Sequence, residues 1–266
     1  MILEQRKANL KNLAEFIAED FCIGNITELR KIARFEGVPY YYDNYEDAFD
    51  GMLVYDSQDF HIHINTDSGN TEESKRGRFT FAHELAHYFI DQHRLGLKYG
   101  ILKPHASFNN LNTTSIIEEE ANYFAGCLLM PSGKFKKAPH TKKFSLKTII
   151  SLSESFNVSL PSSLIRFADV GTHEIFAVVS KNGKVQWFAS SNDFPKWKFN
   201  FKRQESLPEG ARVLQGQILN EALTDISLTT PEIWFLPNEL DARADRILNE
   251  QCYYAQNYVV TLLWFN

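Results

Sequence analysis

The 266-residue sequence predicts an α+β fold in two parts: a mostly helical domain over residues 1–170 that carries a small β-hairpin, and a smaller α+β domain over 171–266. Three observations lead there. Apolar residues recur at helical spacing through most of the chain up to Ala168, a strand–Asn-Gly–strand pattern follows Gly171, and all four tryptophans fall after that glycine.

The first helix is predicted from Ile2, Leu3, Leu10, Leu13, Phe16 and Ile17, and the second covers Ile26 to Phe35, ended by Gly37 and Pro39. After a tyrosine-rich stretch to Tyr45, Met52-Leu-Val-Tyr and Phe60-His-Ile-His-Ile read as a hairpin turning over Asp56 to Asp59. A third helix is expected from about Arg78 to Gln92, with an entry near Asn70, Glu73 in capping-box spacing and an interruption at Gly77. Ser115 to Met130 forms the next, ended by Pro131 and Gly133, and a helix pair within 145–168 completes the first domain. In the second domain, Glu174 to Ser180 and Lys184 to Ser190 flank Lys181-Asn-Gly183, which suits a type I′ turn. Tyr258 to Phe265 reads as a closing buried strand, and the tryptophans Trp187, Trp197, Trp234 and Trp264 as core.

Composition narrows the function classes. Hydrophobic residues at 44% and charged residues at 23% describe a folded globular chain. No apolar run approaches the roughly 20 residues of a membrane span, and the charged N-terminus lacks the pattern of a secretory signal. Cys22, Cys127 and Cys252 are too widely separated for a disulfide framework and suit reduced thiols, so a cytoplasmic location is expected. A net charge of −5 argues against wholesale nucleic-acid binding, although Ala121 to Ser153 contains lysines and no acid. That basic stretch reads as a solvated loop.

The chemistry concentrates in His83-Glu84-Leu85-Ala86-His87. Two histidines four apart project from one helix face and can grip one cation, while Glu84, about 100° around the helix, is placed to act on a water as general base. The surrounding apolar residues argue against an exposed helix. A catalytic zinc site needs a third protein ligand. His93 follows His87 by six residues, but Ile90 stands where a glycine would turn the chain back, so the helix is expected to continue and leave His93 pointing elsewhere. Glu118 is preferred: it heads a stripe with Ala121, Asn122 and Ala125 on one helical face, and Asn122 can accept a hydrogen bond from a ligand histidine. Glu120, or a capping box of Ser115 with Glu118, remains open as the alternative.

Arg78-Phe-Thr-Phe-Ala-His-Glu-Leu-Ala-His87 followed by Glu118-x-x-Ala-Asn-x-Phe-Ala-x-x-Leu-Leu-Met-Pro131 resembles the ImmA/IrrE family of metallopeptidases over about residues 25 to 168. The resemblance implies a zincin-like peptidase domain in which His83, His87 and Glu118 bind zinc and Glu84 activates water. It further implies an endopeptidase whose substrate is a helix-turn-helix transcriptional repressor in a stress or mobile-element response. A regulatory or substrate-recognising role is expected for residues 171–266. Tyr99, His105 and His140 are oxyanion-stabilising candidates by residue type alone. The rival reading is a DNA- or protein-binding regulator with a non-catalytic metal site: Leu146 to Ala168 has helix-turn-helix rhythm, yet offers only Ser162, Ser163 and Arg166 to a groove, so direct DNA binding is not expected.

Overall fold

The computed structural model describes residues 2–67, 69–103, 107, 115–137, 144–214 and 222–265. The chain folds into two compact units, Met1–Lys137 with Ser153–Ser159, and Ala138–Leu152 with Leu160–Asn266. The fold is α+β, as the patterning predicts.

In the first unit, α1 (Glu4–Phe21) leads through a two-stranded ribbon, β1 (Cys22–Ile23) and β2 (Ile26–Thr27), into α2 (Leu29–Phe35). The stripe that α1 buries is Leu10, Ala14 and Ala18, while Leu3 and Phe16 stay exposed. Ala14 and Ala18 let α1 approach the later helix α5 closely, beside the larger Leu10. A mixed sheet follows, formed by β3 (Tyr40–Asp43), β4 (Gly51–Tyr55) and β5 (Phe60–Asn65), with β5 central, parallel to β3 and antiparallel to β4. The β4–β5 hairpin is the predicted one. The tyrosine run is a strand as well, its aromatic residues suiting a half-buried pleated surface.

The motif helix α3 (Lys75–Phe89) starts at Ser74, whose hydroxyl accepts a hydrogen bond from the Gly77 amide at 2.9 Å; the expected Asn70/Glu73 entry is thus displaced by one turn. Gly77 does not interrupt the helix. It lets the first turn lie against the preceding loop, since a Cβ there would sit 2.1 Å from the Thr71 carbonyl oxygen. Buried polar groups fix the orientation of α3 on the sheet: the Asn70 amide donates to Asp50, Thr80 donates to Asn70, and Arg76 pairs with Asp50.

The helix stops earlier than the pattern predicts. Ile90 breaks it at φ −78° and ψ 106°, and α4 (Asp91–Lys98) begins at once. This reversal is made in the extended region with negative φ, which a β-branched residue adopts without strain, so no glycine is needed. Next comes α5 (Ile116–Leu129), packed against both α1 and α3, and then the short α6 (Ser132–Lys137). The capping box is not formed: the Ser115 side chain makes no capping hydrogen bond.

Two further helices, α7 (Leu146–Ser155) and α8 (Leu160–Val170), precede the second unit's strands. Ser163 and Arg166, which a groove-reading helix would expose, are both buried, and Arg166 pairs with Asp169 at 2.8 Å. The strands β6 (Ile175–Lys181), β7 (Lys184–Ser190), β8 (Ala222–Leu223), β9 (Ser227–Thr229), β10 (Leu248–Tyr254) and β11 (Val259–Phe265) form one sheet in the order β7-β6-β11-β10-β8, with β9 also pairing to β10. One turn of helix, α9 (Pro231–Trp234), lies between β9 and β10. The β6–β7 turn has positive φ at both Asn182 and Gly183, as a type I′ turn requires. All four tryptophans are buried, two of them in an aromatic core with Phe176, Phe194, Phe201 and Phe235. Among the described residues, no helix is long and apolar enough to cross a membrane.

Candidate metal centre

The two histidines of α3 sit where helical spacing puts them, one turn apart and facing α5, at 3% and 2% exposure. Ala82 and Ala86 on α3 and Ala121 and Ala125 on α5 are fully buried, and this small-residue seam lets the first turn of α5 come within reach of the rings. His83 Nε2 lies 3.1 Å from Glu118 Oε2, His87 Nε2 lies 3.4 Å from Glu118 Oε1, and the two Nε2 atoms are 3.1 Å apart. One donor atom from each of the three residues falls within 4.8 Å of the others. The structure therefore brings His83, His87 and Glu118 together, while Glu120 faces a different partner.

The hydrogen bonds behind the rings decide what the group fits. His83 Nδ1 is 3.0 Å from Asn122 Oδ1, the bond expected of Asn122, and it places the ring proton on Nδ1. In the neutral ring Nε2 then carries the lone pair. His87 Nδ1 is likewise engaged, 3.1 Å from His93 Nδ1, which leaves its Nε2 facing the same point. Two imidazole lone pairs and a carboxylate converging in a buried space repel one another unless a cation lies between them. The donor set, two nitrogens and a carboxylate oxygen, is that of an open zinc site. Burial pushes His87 down to about 3 against the opposing pull of Glu118. In His83 the same burial is outweighed by the hydrogen bond to Glu118 and the charges of Glu84 and Glu118, and its pKa lies above the ordinary value.

Glu84 projects from α3 toward the sheet, is 1% exposed, and lies against Gly51 at the start of β4. A Cβ at Gly51 would approach Glu84 Oε1 and Thr80 Cγ2 to 2.6 Å each, so this strand position has room for the Glu84 carboxylate only as glycine.

His93 is not one of the three converging residues. Nor does it point elsewhere: the break at Ile90 carries it back behind His87, where it is buried with its pKa pushed down by burial to about 4. Its Nε2 lies 3.3 Å from Glu120, and Glu120 in turn receives hydrogen bonds from Arg6. Sequence reasoning missed Arg6 and Gly51 altogether. Nothing local signals either one. Of the oxyanion candidates, Tyr99 is 69% exposed after α4, and His105 and His140 lie outside the described residues.

Comparison with known proteins agrees with this geometry. Residues 53–167 match the peptidase family described as IrrE N-terminal-like domain. No curated protein matches the sequence at a significant level. Among solved structures, a Mycobacterium tuberculosis transcriptional regulator is similar in fold at a TM-score of 0.59 and 15% identity, over 98% of this chain and 78% of that one.

Proposed function

Since residues 53–167 belong to the peptidase family of the IrrE N-terminal-like domain and carry a His-His-Glu group fit for a divalent metal, we propose that the protein is a zinc-dependent endopeptidase that cleaves a helix-turn-helix transcriptional repressor. The convergence of His83 Nε2, His87 Nε2 and the Glu118 carboxylate, with Glu84 beside them on α3, is the observation that carries the reading. His83, His87 and Glu118 hold the zinc. Bound there, zinc supplies Lewis acidity, which lowers the pKa of a water and polarises a peptide carbonyl.

The protein's own residues do the rest. Asn122 holds the His83 ring in one tautomer, and the small-residue seam between α3 and α5 excludes bulk water from the ligands. Glu84 takes the proton of the attacking water on its carboxylate and passes it to the departing amine, and its burial against Gly51 keeps that carboxylate in one place. The cytoplasm is the proposed location; Cys22, Cys127 and Cys252 are buried thiols.

A second reading is favoured by one observation, that the fold neighbour spanning 98% of the chain is described as a transcriptional regulator. In it the protein is itself a DNA- or protein-binding regulator with a non-catalytic metal site. Burial of Ser163 and Arg166 counts against direct groove reading by α8.

The deciding experiment incubates zinc-loaded protein with helix-turn-helix regulators encoded beside its gene and scores intact mass. A defined cut that Glu84→Gln abolishes is the expected result. Zinc bound at full stoichiometry with no cut in any regulator supports the second reading.

A further inference from the structure

The hydrogen bonds that end on His87 begin at the surface of the molecule, on a helix that contributes no ligand. Arg6, in the first turn of α1, donates from Nε to Glu120 Oε1 at 2.8 Å and from Nη2 to Glu120 Oε2. A second hydrogen bond from Nη2, to Gln92 Oε1 at 3.1 Å, ties the same guanidinium to α4. Glu120 Oε2 lies 3.3 Å from His93 Nε2, and His93 Nδ1 lies 3.1 Å from His87 Nδ1. Arg6 has 28% of its side chain exposed, Glu120 12% and His93 3%, so the series runs from solvent inward.

The direction of every bond in this series follows from its first member. An arginine only donates and cannot be deprotonated, so the Glu120 carboxylate only accepts. A neutral His93 then carries its proton on Nε2, facing the carboxylate, and presents Nδ1 as an acceptor. His87 meets that acceptor with Nδ1, which therefore bears the proton. The Nε2 lone pair of His87 is thereby aimed at Glu118 and His83, and a ring flip or the other tautomer would set two donors or two acceptors against each other. Asn122 does the same for His83 in one step; for His87 the work takes three residues from three helices.

We propose that Arg6, Glu120 and His93 are positioning residues of the metal centre, a relay that locks His87 in its Nδ1–H tautomer and so sets the affinity of the site for zinc. This rests on the reading of His83, His87 and Glu118 as zinc ligands. The partners that orient ligand histidines change metal affinity by roughly 10–100-fold when removed, and the relay is expected to fall in that range. The competing account is a plain structural tie between α1, α4 and α5, which would alter melting temperature and leave the site untouched.

The test measures zinc affinity by competition with a chromogenic chelator, the tautomer of His87 by imidazole nitrogen NMR, and melting temperature without metal. It compares the full-length wild type with His93→Leu, His93→Gln, Glu120→Gln and Arg6→Met. Gln at 93 can accept from His87 Nδ1 and donate to Glu120. The expected result is a loss of roughly 10–100-fold in zinc affinity for His93→Leu, a smaller loss for Glu120→Gln and Arg6→Met, and recovery of most of it in His93→Gln. His87 is expected to show a proton on Nδ1 in the wild type and a mixture in His93→Leu. Affinity within twofold of wild type in both His93→Leu and Glu120→Gln, whatever their melting temperatures, overturns the relay. Should His93→Leu fail to fold, Glu120→Gln, which keeps the shape and removes the charge, decides alone. A wild type that binds zinc no more tightly than Glu118→Gln sinks the ligand assignment instead, so the two failures are distinguishable.

Discussion

Gly51→Ala adds one methyl group, and the structure says where the strain must go. The new Cβ would stand 2.6 Å from both Glu84 Oε1 and Thr80 Cγ2, whereas ordinary contacts begin at about 3.5 Å. Roughly 1 Å has to be found. Thr80 cannot supply it, because its hydroxyl is held by Asn70 at 2.8 Å and the Arg76 carbonyl at 3.2 Å and the residue is buried. The backbone of β4 is pinned at this point too, paired with Ile64 of β5. The Glu84 carboxylate, at the end of a flexible side chain, gives way first, and the contact with the Thr80 methyl remains as overpacking. A displacement of about 1 Å in a reacting group costs on the order of 100-fold in rate, or about 2.7 kcal/mol in the barrier. Overpacking adds about 1–3 kcal/mol of lost stability. The proposed ligands His83, His87 and Glu118 are untouched, so zinc affinity is expected to stay within about threefold of wild type, well short of the roughly 10–100-fold that losing a ligand's orienting partner costs. The assay follows cleavage of whichever regulator the zinc-loaded wild type cuts, with a melting curve and a zinc titration beside it. A cleavage rate within twofold of wild type would refute the claim that this glycine makes room that the Glu84 carboxylate needs in order to act.

Three other perturbations test separate features of the molecule. Glu84→Gln is expected to bind zinc normally while cleavage falls at least 100-fold, the lower end of what general-base catalysis contributes; measurable turnover above that bound assigns the proton transfer to another residue. Asn122→Ala frees the His83 ring and is expected to weaken zinc binding roughly 10–100-fold in a chelator competition, with little change in melting temperature. In the second unit, burial raises the pKa of Glu250 above its ordinary value. Its folded form then holds a proton that the unfolded chain has released, so the stability it contributes is fully present below about 4.3 and is lost as pH rises through the folded pKa. Glu250→Gln is expected to match the wild-type melting temperature near pH 4 and to exceed it increasingly toward pH 7; parallel curves for the two proteins would show that Glu250 does not carry this dependence.

What the sequence discloses about the centre is local. His83, Glu84 and His87 sit within one turn and a half of helix, so their relative placement follows from helical geometry alone. Glu118 and Asn122 are legible for the same reason: a carboxylate and an amide one turn apart head a seam of alanines, and a seam of alanines means a close neighbour. Arg6 lies 114 residues from Glu120, and no spacing rule connects them. His93 is visible in the sequence but misplaced by it, because a turn between helices is equated with positive φ, and Ile90 makes it at φ −78°. The apolar pattern of the first helix is right only in part: Leu10 is buried as marked, Leu3 and Phe16 are exposed, and the rest of the inward face goes to Ala14 and Ala18, which the pattern does not mark. Strand β3 escapes for want of alternation, being recognisable only once β5 lies beside it.

The central place of β5 bears on how small a working piece of this protein can be. The segment by which the family is recognised begins at residue 53, inside β4, yet one of the two strands bonded to β5 is drawn from residues 40–43, and the helix covering α5 comes from residues 4–21. A fragment cut at the recognisable border would turn an interior strand into an open edge and strip the outer face of α5 bare, inviting self-association before any chemistry could be measured. What is similar enough to be recognised is thus less than what is needed to stand alone, and the opening fifth of the chain belongs in any minimal version that is expected to bind metal.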